Sequence, residues 1–586
     1  MPVHTNVMPK AKPTDSFMAW PNIDTLYDFV AYLSPDGASD LPIATLPQNL
    51  WGTEIGIVGA GVGGMVAAYE LLKIGANPVI FEATDRIGGR ACTVPFMDDG
   101  RPSKTDFAEL GSMRFPPSGK AMFHYLEKFD LMPPADMPPF PDPGKVPTVL
   151  YYENTVYPWP AGQSAPSAFT QIAQDFNTFM DNLVRPLYTA WQQAQQNGDY
   201  GPVVQIWQNY VDQYKDVSLY TALRYGIPKW SDEDLLKFGA LGVGSGGFGP
   251  LYAVNFVELL RIIVNMWEDN QILLPNGITS LVKAMYETPV TRPDGSSVSL
   301  ADLDALQLKR PVVQIRVTNG QPTMYFDVPG APARSFGAII VATTTRAMEV
   351  MGMTLPPGEG PELVSEEVKD AVRNVHLMNS SKLFIRTATK FWKGTSMPQN
   401  IQTDELPRGV YALDYPQTEH GIVIISYVWG DDSSKLLALG KVERLHVFRQ
   451  AIAKASPEFA EKLIPMNGPD DIIEVDWERT PHYYGAFKLN YPGQDPMVAD
   501  LYYQFLTVLD ASTDPGIYLA GDSVSWSGGW TEGAIETGLN AACAAATRIG
   551  ATVRAGSPLT QSPTLYNYTN PGSSTAPKPL QTVSVR

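Results

Sequence analysis

Glu54-Ile-Gly-Ile-Val-Gly-Ala-Gly-Val-Gly-Gly64 is the stretch on which the reading of this chain turns. Its first five residues make a short apolar strand. Gly59-Ala60-Gly61-Val62-Gly63-Gly64 then forms a G-x-G-x-x-G turn. Val62–Ile74 continues with Val66, Ala67, Leu71 and Leu72 at helical spacing. Pro78-Val-Ile-Phe-Glu82 reads as a second strand, so strand, turn, helix and strand follow within about thirty residues, which is a βαβ unit. In such a turn Gly59 permits the tight bend, Gly61 lets the backbone approach a pyrophosphate, and Gly64 lets helix and strand pack closely. The free amides at the helix start favour phosphate oxygens. Glu82 ends the second strand, where a carboxylate accepts hydrogen bonds from a ribose diol and disfavours a 2′-phosphate. The expected ligand is a dinucleotide.

Working outward, Arg86-Ile-Gly-Gly-Arg90 brackets a Gly pair with two arginines expected to meet phosphates. Far along the chain, the apolar strand Gly516-Ile-Tyr-Leu-Ala-Gly521 runs into Gly521-Asp522, ahead of a helix over Gly533–Ile549. A Gly-Asp there is a candidate second contact to phosphate or ribitol. Val312–Val317, Thr323–Val328, Ala338–Ala342, Lys382–Arg386 and Ile422–Val428 read as strands, and residues 165–275 and 434–465 as mostly helical. Residues 1–50 read as an arm over the surface, with a helical piece near Ile23–Leu33, Pro133–Pro147 as a linker, and residues 556–586 as a loose tail.

Charge and composition remove several classes. A net charge of −18 argues against a nucleic-acid partner or an anionic membrane surface. Two cysteines, Cys92 and Cys543, exclude a disulfide framework and make a thiolate zinc site unattractive. The six histidines show no ligand spacing, so no metal is expected. The start of the chain lacks a signal-peptide pattern and no 18-residue apolar run occurs, which points to the cytoplasm.

Glu82-Ala-Thr-Asp-Arg-Ile-Gly-Gly-Arg90, Gly521-Asp522 and Gly529-Trp-Thr-Glu-Gly-Ala534 together resemble the flavin-containing amine oxidase family. Glu109-Leu-Gly-Ser-Met-Arg-Phe-Pro-Pro-Ser118, Leu241-Gly-Val-Gly-Ser-Gly-Gly-Phe248, Ser380-Ser-Lys-Leu-Phe384, Ile425-Ser-Tyr-Val-Trp429 and Gly485-Ala-Phe-Lys-Leu-Asn-Tyr-Pro-Gly493 are similar to its group of bacterial tryptophan 2-monooxygenases and L-amino acid oxidases. The resemblance implies an α/β (α+β overall) chain. A Rossmann-like FAD-binding domain of the glutathione-reductase/amine-oxidase type would take residues 51–120, 270–345 and 510–555. A mixed-sheet substrate domain would take 121–269 and 346–509, with a helical insertion at about 165–269. The cofactor would be FAD, held non-covalently because Ala486 precedes Phe487 where covalent attachment would need Cys or His. Its contacts would come from Gly59, Gly61, Gly63, Gly64, Glu82, Ala83, Arg86, Gly89, Arg90, Met113, Arg114, Val313, Gly521, Asp522, Trp530 and Ala534.

The same resemblance gives the substrate side. Arg114 would clamp an α-carboxylate, a role suited to a planar guanidinium, and Tyr427 would share it. Lys382 would hold a water near flavin N5; a lysine in an apolar strand is costly unless paired or functional. Phe487 and Trp530 would form two aromatic walls, and Phe248 would shape the side-chain pocket. The implied reaction is hydride transfer from Cα of an aromatic or large apolar L-amino acid to the flavin, with O2 as acceptor, giving imino or keto acid, ammonia and peroxide. Alternatives are a 2-monooxygenase outcome, giving amide and CO2, and a monoamine or polyamine oxidase, for which Arg114 would be useless. A homodimer is expected.

Overall fold

The computed structural model describes residues 22–37, 40–240, 248–356 and 361–560. Its central sheet has five parallel strands, ordered Leu306–Gln307, Asn77–Phe81, Glu54–Val58, Ala338–Val341 and Ile517–Leu519. A parallel sheet is covered on both faces, so its strands run apolar, and Ile57, Ile80, Ile340 and Ile517 are fully buried. The helices Val62–Lys73 and Thr531–Arg548 cover one face. On the other, Met324 and Phe336 close onto Gly56, bringing up a three-stranded antiparallel sheet of Val312–Thr318, Gln321–Phe326 and Arg334–Ser335. Gly64 is obligatory here, because a Cβ would sit 2.1 Å from the Gly59 carbonyl oxygen.

The second sheet is mixed and has seven strands, ordered Ile472–Asp476, Ser380–Thr387, Gly421–Trp429, Gly409–Leu413, Asn400–Thr403, Thr148–Tyr152 and Thr155–Trp159. Only Asn400–Thr403 and Thr148–Tyr152 pair in parallel. A bulge places Leu383 opposite Ser426 but Phe384 opposite Ile424. Such a bulge reverses which residues face which side. Ile422 and Ile424 share a core with Tyr427 and Trp429, while Val423 and Ile425 share the opposite one with Val428. Without the extra residue, Tyr427 and Trp429 would point away from the site described below.

Helices Ser167–Asn197, Gly201–Tyr214, Leu219–Gly226, Asp232–Ala240 and Phe256–Val264 form the helical part. The last of these helices ends at Val264, short of the helical stretch expected to about residue 275, and Met266 follows at φ 58°. Among the described residues no helix is long and apolar enough to cross a membrane.

Three segments depart from expectation. The N-terminal arm is built into the molecule: Tyr27, Phe29, Tyr32, Leu33 and Ile43 join the main core, and Ala44 and Thr45 pair with Val553 and Thr552. The Pro-rich stretch is no free linker, since Phe140 and Asp142 are buried and the Phe140 amide donates to the Gln271 carbonyl. Residues 556–560 pack down, with Ser557 and Leu559 buried; the rest of the expected tail lies outside the described residues. Pro and polar content marked these stretches as irregular, which they are, but irregular backbone was satisfied against the core rather than by water.

Candidate active site

A single cavity of about 480 Å³ is lined by both the glycine turn and the inner face of the mixed sheet. On the turn side are Gly59, Gly61, Gly63, Glu82, Ala83 and Gly89. The helix at Val62 and the helix at Thr531 both start at this cavity, so unpaired amides and the positive ends of two helix dipoles meet there. A Cβ on Gly61 would meet nothing nearer than 3.9 Å and would project into the space a ligand must occupy. Glu82 is 6% exposed and braces the turn: one oxygen accepts from the Ala60 amide at 2.9 Å, the other from the Thr84 amide and hydroxyl. These residues fit a dinucleotide. Gly61→Val is expected to give a folded, colourless protein, checked by circular dichroism and visible absorbance; full retention of flavin would contradict the assignment.

The arginines behave differently from expectation. Arg86 does not line the cavity; it donates to the Gly89 carbonyl and the Tyr483 hydroxyl, and so shapes the loop. Arg90 lines it but is already engaged, donating to both Asp522 oxygens and to the Ala486 carbonyl. Arg90 and Asp522, read as two separate contacts, are one ion pair that ties the early turn to the late one. Gly64 packs the turn from behind, whereas Met113, Val313, Gly521 and Ala534 do line the cavity.

On the sheet side, Lys382 and Tyr427 stand directly opposite one another on neighbouring strands, with Lys382 Nζ 4.6 Å from the tyrosine ring centre. The ammonium donates to the backbone carbonyls of Glu109 and Gly111, the first at 3.1 Å. Burial pulls the Lys382 pKa down to about 7, with Arg114 adding repulsion and Glu109 opposing. Near neutrality, therefore, Lys382 is poised to hold or release a proton. Glu109 is itself pushed up to about 8 by burial, against hydrogen bonds from the Ile278 amide and the Thr93 hydroxyl.

The Arg114 side chain is only 8% exposed, with Phe140 beneath it at 5.7 Å, and its charge acts on the nearby Tyr427 hydroxyl. Burial alone would lower its pKa, but the Glu268 carboxylate and its neighbours raise it instead. Arg114 Nη1 donates to Glu268 at 2.9 Å and to Gln271 at 3.2 Å. Aromatic walls surround this end. Phe487 meets Trp429 edge-on at 5.3 Å, and Trp530 lies 5.6 Å from Trp267. Phe248 is not among them: it is fully buried in the helical part, 4.2 Å from Phe238 and beside Phe176. A buried aromatic after a glycine run gives no sign of which side of a helix layer it will choose. Leu241–Gly247 of that run lies outside the described residues.

Sequence reasoning missed Trp267, Glu268 and Trp429. Trp429 was within reach, because strand alternation puts it beside Tyr427. Glu268 follows an apolar helix in Trp267-Glu268-Asp269-Asn270, a run that signals only a helix end.

Residues 62–546 match the family of flavin containing amine oxidoreductases. The chain belongs to that family. Over 573 residues it is 37% identical to a tryptophan 2-monooxygenase of Pseudomonas savastanoi, covering 94% of this chain and 99% of that one. It is 36% identical to another from Pantoea agglomerans pv. gypsophilae, covering 94% and 98%. Among solved structures, cyclohexylamine oxidase from Brevibacterium oxydans superimposes with a TM-score of 0.60 at 17% identity, over 85% of this chain and 98% of that one. That likeness speaks for the fold: a Rossmann-like parallel sheet with a mixed second sheet. The chain is a flavoprotein oxidoreductase, and its family implies FAD.

Proposed function

We propose that this protein is an FAD-dependent L-amino acid 2-monooxygenase acting on aromatic substrates of the tryptophan type. The overall change is L-amino acid plus O2 to the shortened amide, CO2 and water. The observation that carries the reading is Arg114 with Tyr427, set in the same cavity as the glycine turn and beside Lys382. A carboxylate clamp has no use in the oxidation of a simple amine. Bound FAD supplies the two-electron acceptor that O2 reoxidises. Arg114 and Tyr427 fix the carboxylate, Lys382 holds or moves a proton beside it, and the walls Trp429, Phe487 and Trp530 flatten the substrate and exclude water.

Substrate class follows from the remaining wall. Leu219, Leu251, Val254, Leu259 and Ile262 are apolar. Glu258 also lines the cavity, yet its carboxylate is spent on Arg261 at 3.0 Å and Lys488 at 3.2 Å. That arrangement suits an uncharged aromatic side chain rather than a lysine ammonium. The oxidase outcome expected from sequence takes second place, because the relatives at 36–37% identity bear the name tryptophan 2-monooxygenase.

Anaerobic mixing tests the amino-acid reading. Yellow enzyme should bleach with L-tryptophan or L-phenylalanine and stay yellow with tryptamine and phenethylamine; bleaching by the amines alone would overturn it. We also propose non-covalent FAD, since Ala486 supplies only a methyl and a carbonyl to the cavity. Denaturation and filtration should leave the colour in the filtrate; colour retained with the chain would refute this.

A further inference from the structure

Arg114, the proposed clamp, already carries a carboxylate. Glu268 Oε2 lies 2.9 Å from Arg114 Nη1, and the Glu268 side chain is 13% exposed and lines the cavity. It sits on the turn between the helix Phe256–Val264 and the segment that pairs with Phe115. Met266 at φ 58° and Asn270 at φ 50° bracket it, two non-glycine residues in the left-handed region. Backbone held there is strained and gathers at functional sites. The residue before Glu268 is Trp267, which meets the proposed substrate wall Trp530. One short turn thus supplies both an aromatic surface and an internal anion for the guanidinium.

A second carboxylate arriving at Arg114 meets that anion. Like charges a few ångströms apart in a buried site do not both stay ionised. The groups around Glu268 do not relieve the conflict. Arg114 and Gln271 face it directly, Gln271 from its own turn. Asp142 from the Pro-rich segment and Asp269 from the same turn add negative charge, while Lys145 answers Asp142 and Asp269. Tyr427 and Tyr411 approach Arg114 from the mixed sheet. Burial, with Asp142 adding to it, already lifts Glu268 to about 7 despite Arg114. One positive guanidinium faces several acids, and the substrate would bring one more.

We propose that Glu268 is the resident occupant of the Arg114 clamp and that a carboxylate ligand binds only when Glu268 takes up one proton. The carboxyl group then stays beside Arg114 as a neutral hydrogen-bonding partner, and the guanidinium charge passes to the ligand. Glu268 is a positioning residue in this scheme: it holds Arg114 in place before substrate arrives and sets the pH range of capture. The inference rests on the amino-acid reading above.

The test uses holoenzyme and 3-phenylpropionate, a carboxylate with no amine to oxidise, followed by perturbation of the flavin spectrum. For the unmodified enzyme, affinity should be flat below pH about 7 and fall about tenfold per pH unit above it. Calorimetry in buffers of different ionisation enthalpy should show close to one proton taken up at pH about 8. Glu268→Gln should bind with no such slope, more tightly at pH about 8 by roughly tenfold, and without proton uptake. Proton uptake that persists in Glu268→Gln once Lys382, which also titrates near 7 in this cavity, is replaced by Met, or none in the unmodified enzyme, would overturn the proposal. The second measurement needs no variant, so a Gln variant that fails to fold leaves the test intact. Arg114→Ala separates the two claims. Lost binding there with an unaltered Glu268→Gln sinks only the proton coupling, whereas unaltered binding in Arg114→Ala sinks the amino-acid reading itself.

Discussion

Replacing Arg114 with Ala should raise KM for an aromatic L-amino acid about 100-fold or more while FAD stays bound. Removing one partner of a buried, hydrogen-bonded charge pair costs about 2–5 kcal/mol, and about 1.4 kcal/mol is a factor of ten. The guanidinium donates to Glu268 and Gln271 and lies near Tyr427, and none of these takes its place as a cation. Arg114→Lys should recover only part of the loss, since an ammonium cannot present the planar fork. Steady-state kinetics settle the point, and an unchanged KM in the Ala variant would mean the carboxylate binds elsewhere. The variant also strands Glu268 without its cation, so a modest loss of thermal stability should accompany the kinetic effect.

Lys382→Met should slow flavin reduction about 10²–10⁴-fold, the usual range for losing a positioned proton-transfer group. With its pKa lowered to about 7, Lys382 should impose a limb near neutrality on the pH dependence of flavin reduction at saturating substrate, where capture through Glu268 no longer counts. That limb should vanish in the variant; a limb that persists would assign the titration to another group. Stability should move the other way. Folding lowers the Lys382 pKa from 10.5, so the folded state binds fewer protons than the unfolded state between about pH 7 and 10.5, and burial of the charge weakens the fold most below pH 7. Lys382→Met should therefore melt higher than the parent at pH about 6, with the gap closing toward pH about 10. Slower catalysis with greater stability is the mark of a group kept for its chemistry.

How much of this was legible follows the range of the interactions. The βαβ unit was readable because its signals are local: a strand, a glycine turn, a helix and Glu82 within one stretch of chain. Lys382 and Tyr427 were readable one at a time, as polar groups on apolar strands, and the resemblance gave them roles. Their facing arrangement depends on a bulge at Ile425–Ser426 that no residue pattern announced. Arg86 and Arg90 show the limit of motif reading, because an arginine near a phosphate site serves equally well to brace the loop, and both brace it here. Phe248 shows the limit for aromatics, whose burial does not say which core will take them. Glu268 was invisible for a further reason. It matters only through Arg114, 154 residues away in the chain, and no local pattern encodes a partner at that distance.

Product analysis with O2 labelled with heavy oxygen tests the central claim most directly. Holoenzyme given L-tryptophan should form the corresponding amide with one labelled oxygen, together with CO2 and little peroxide. Keto acid and stoichiometric peroxide with no amide would contradict the monooxygenase assignment.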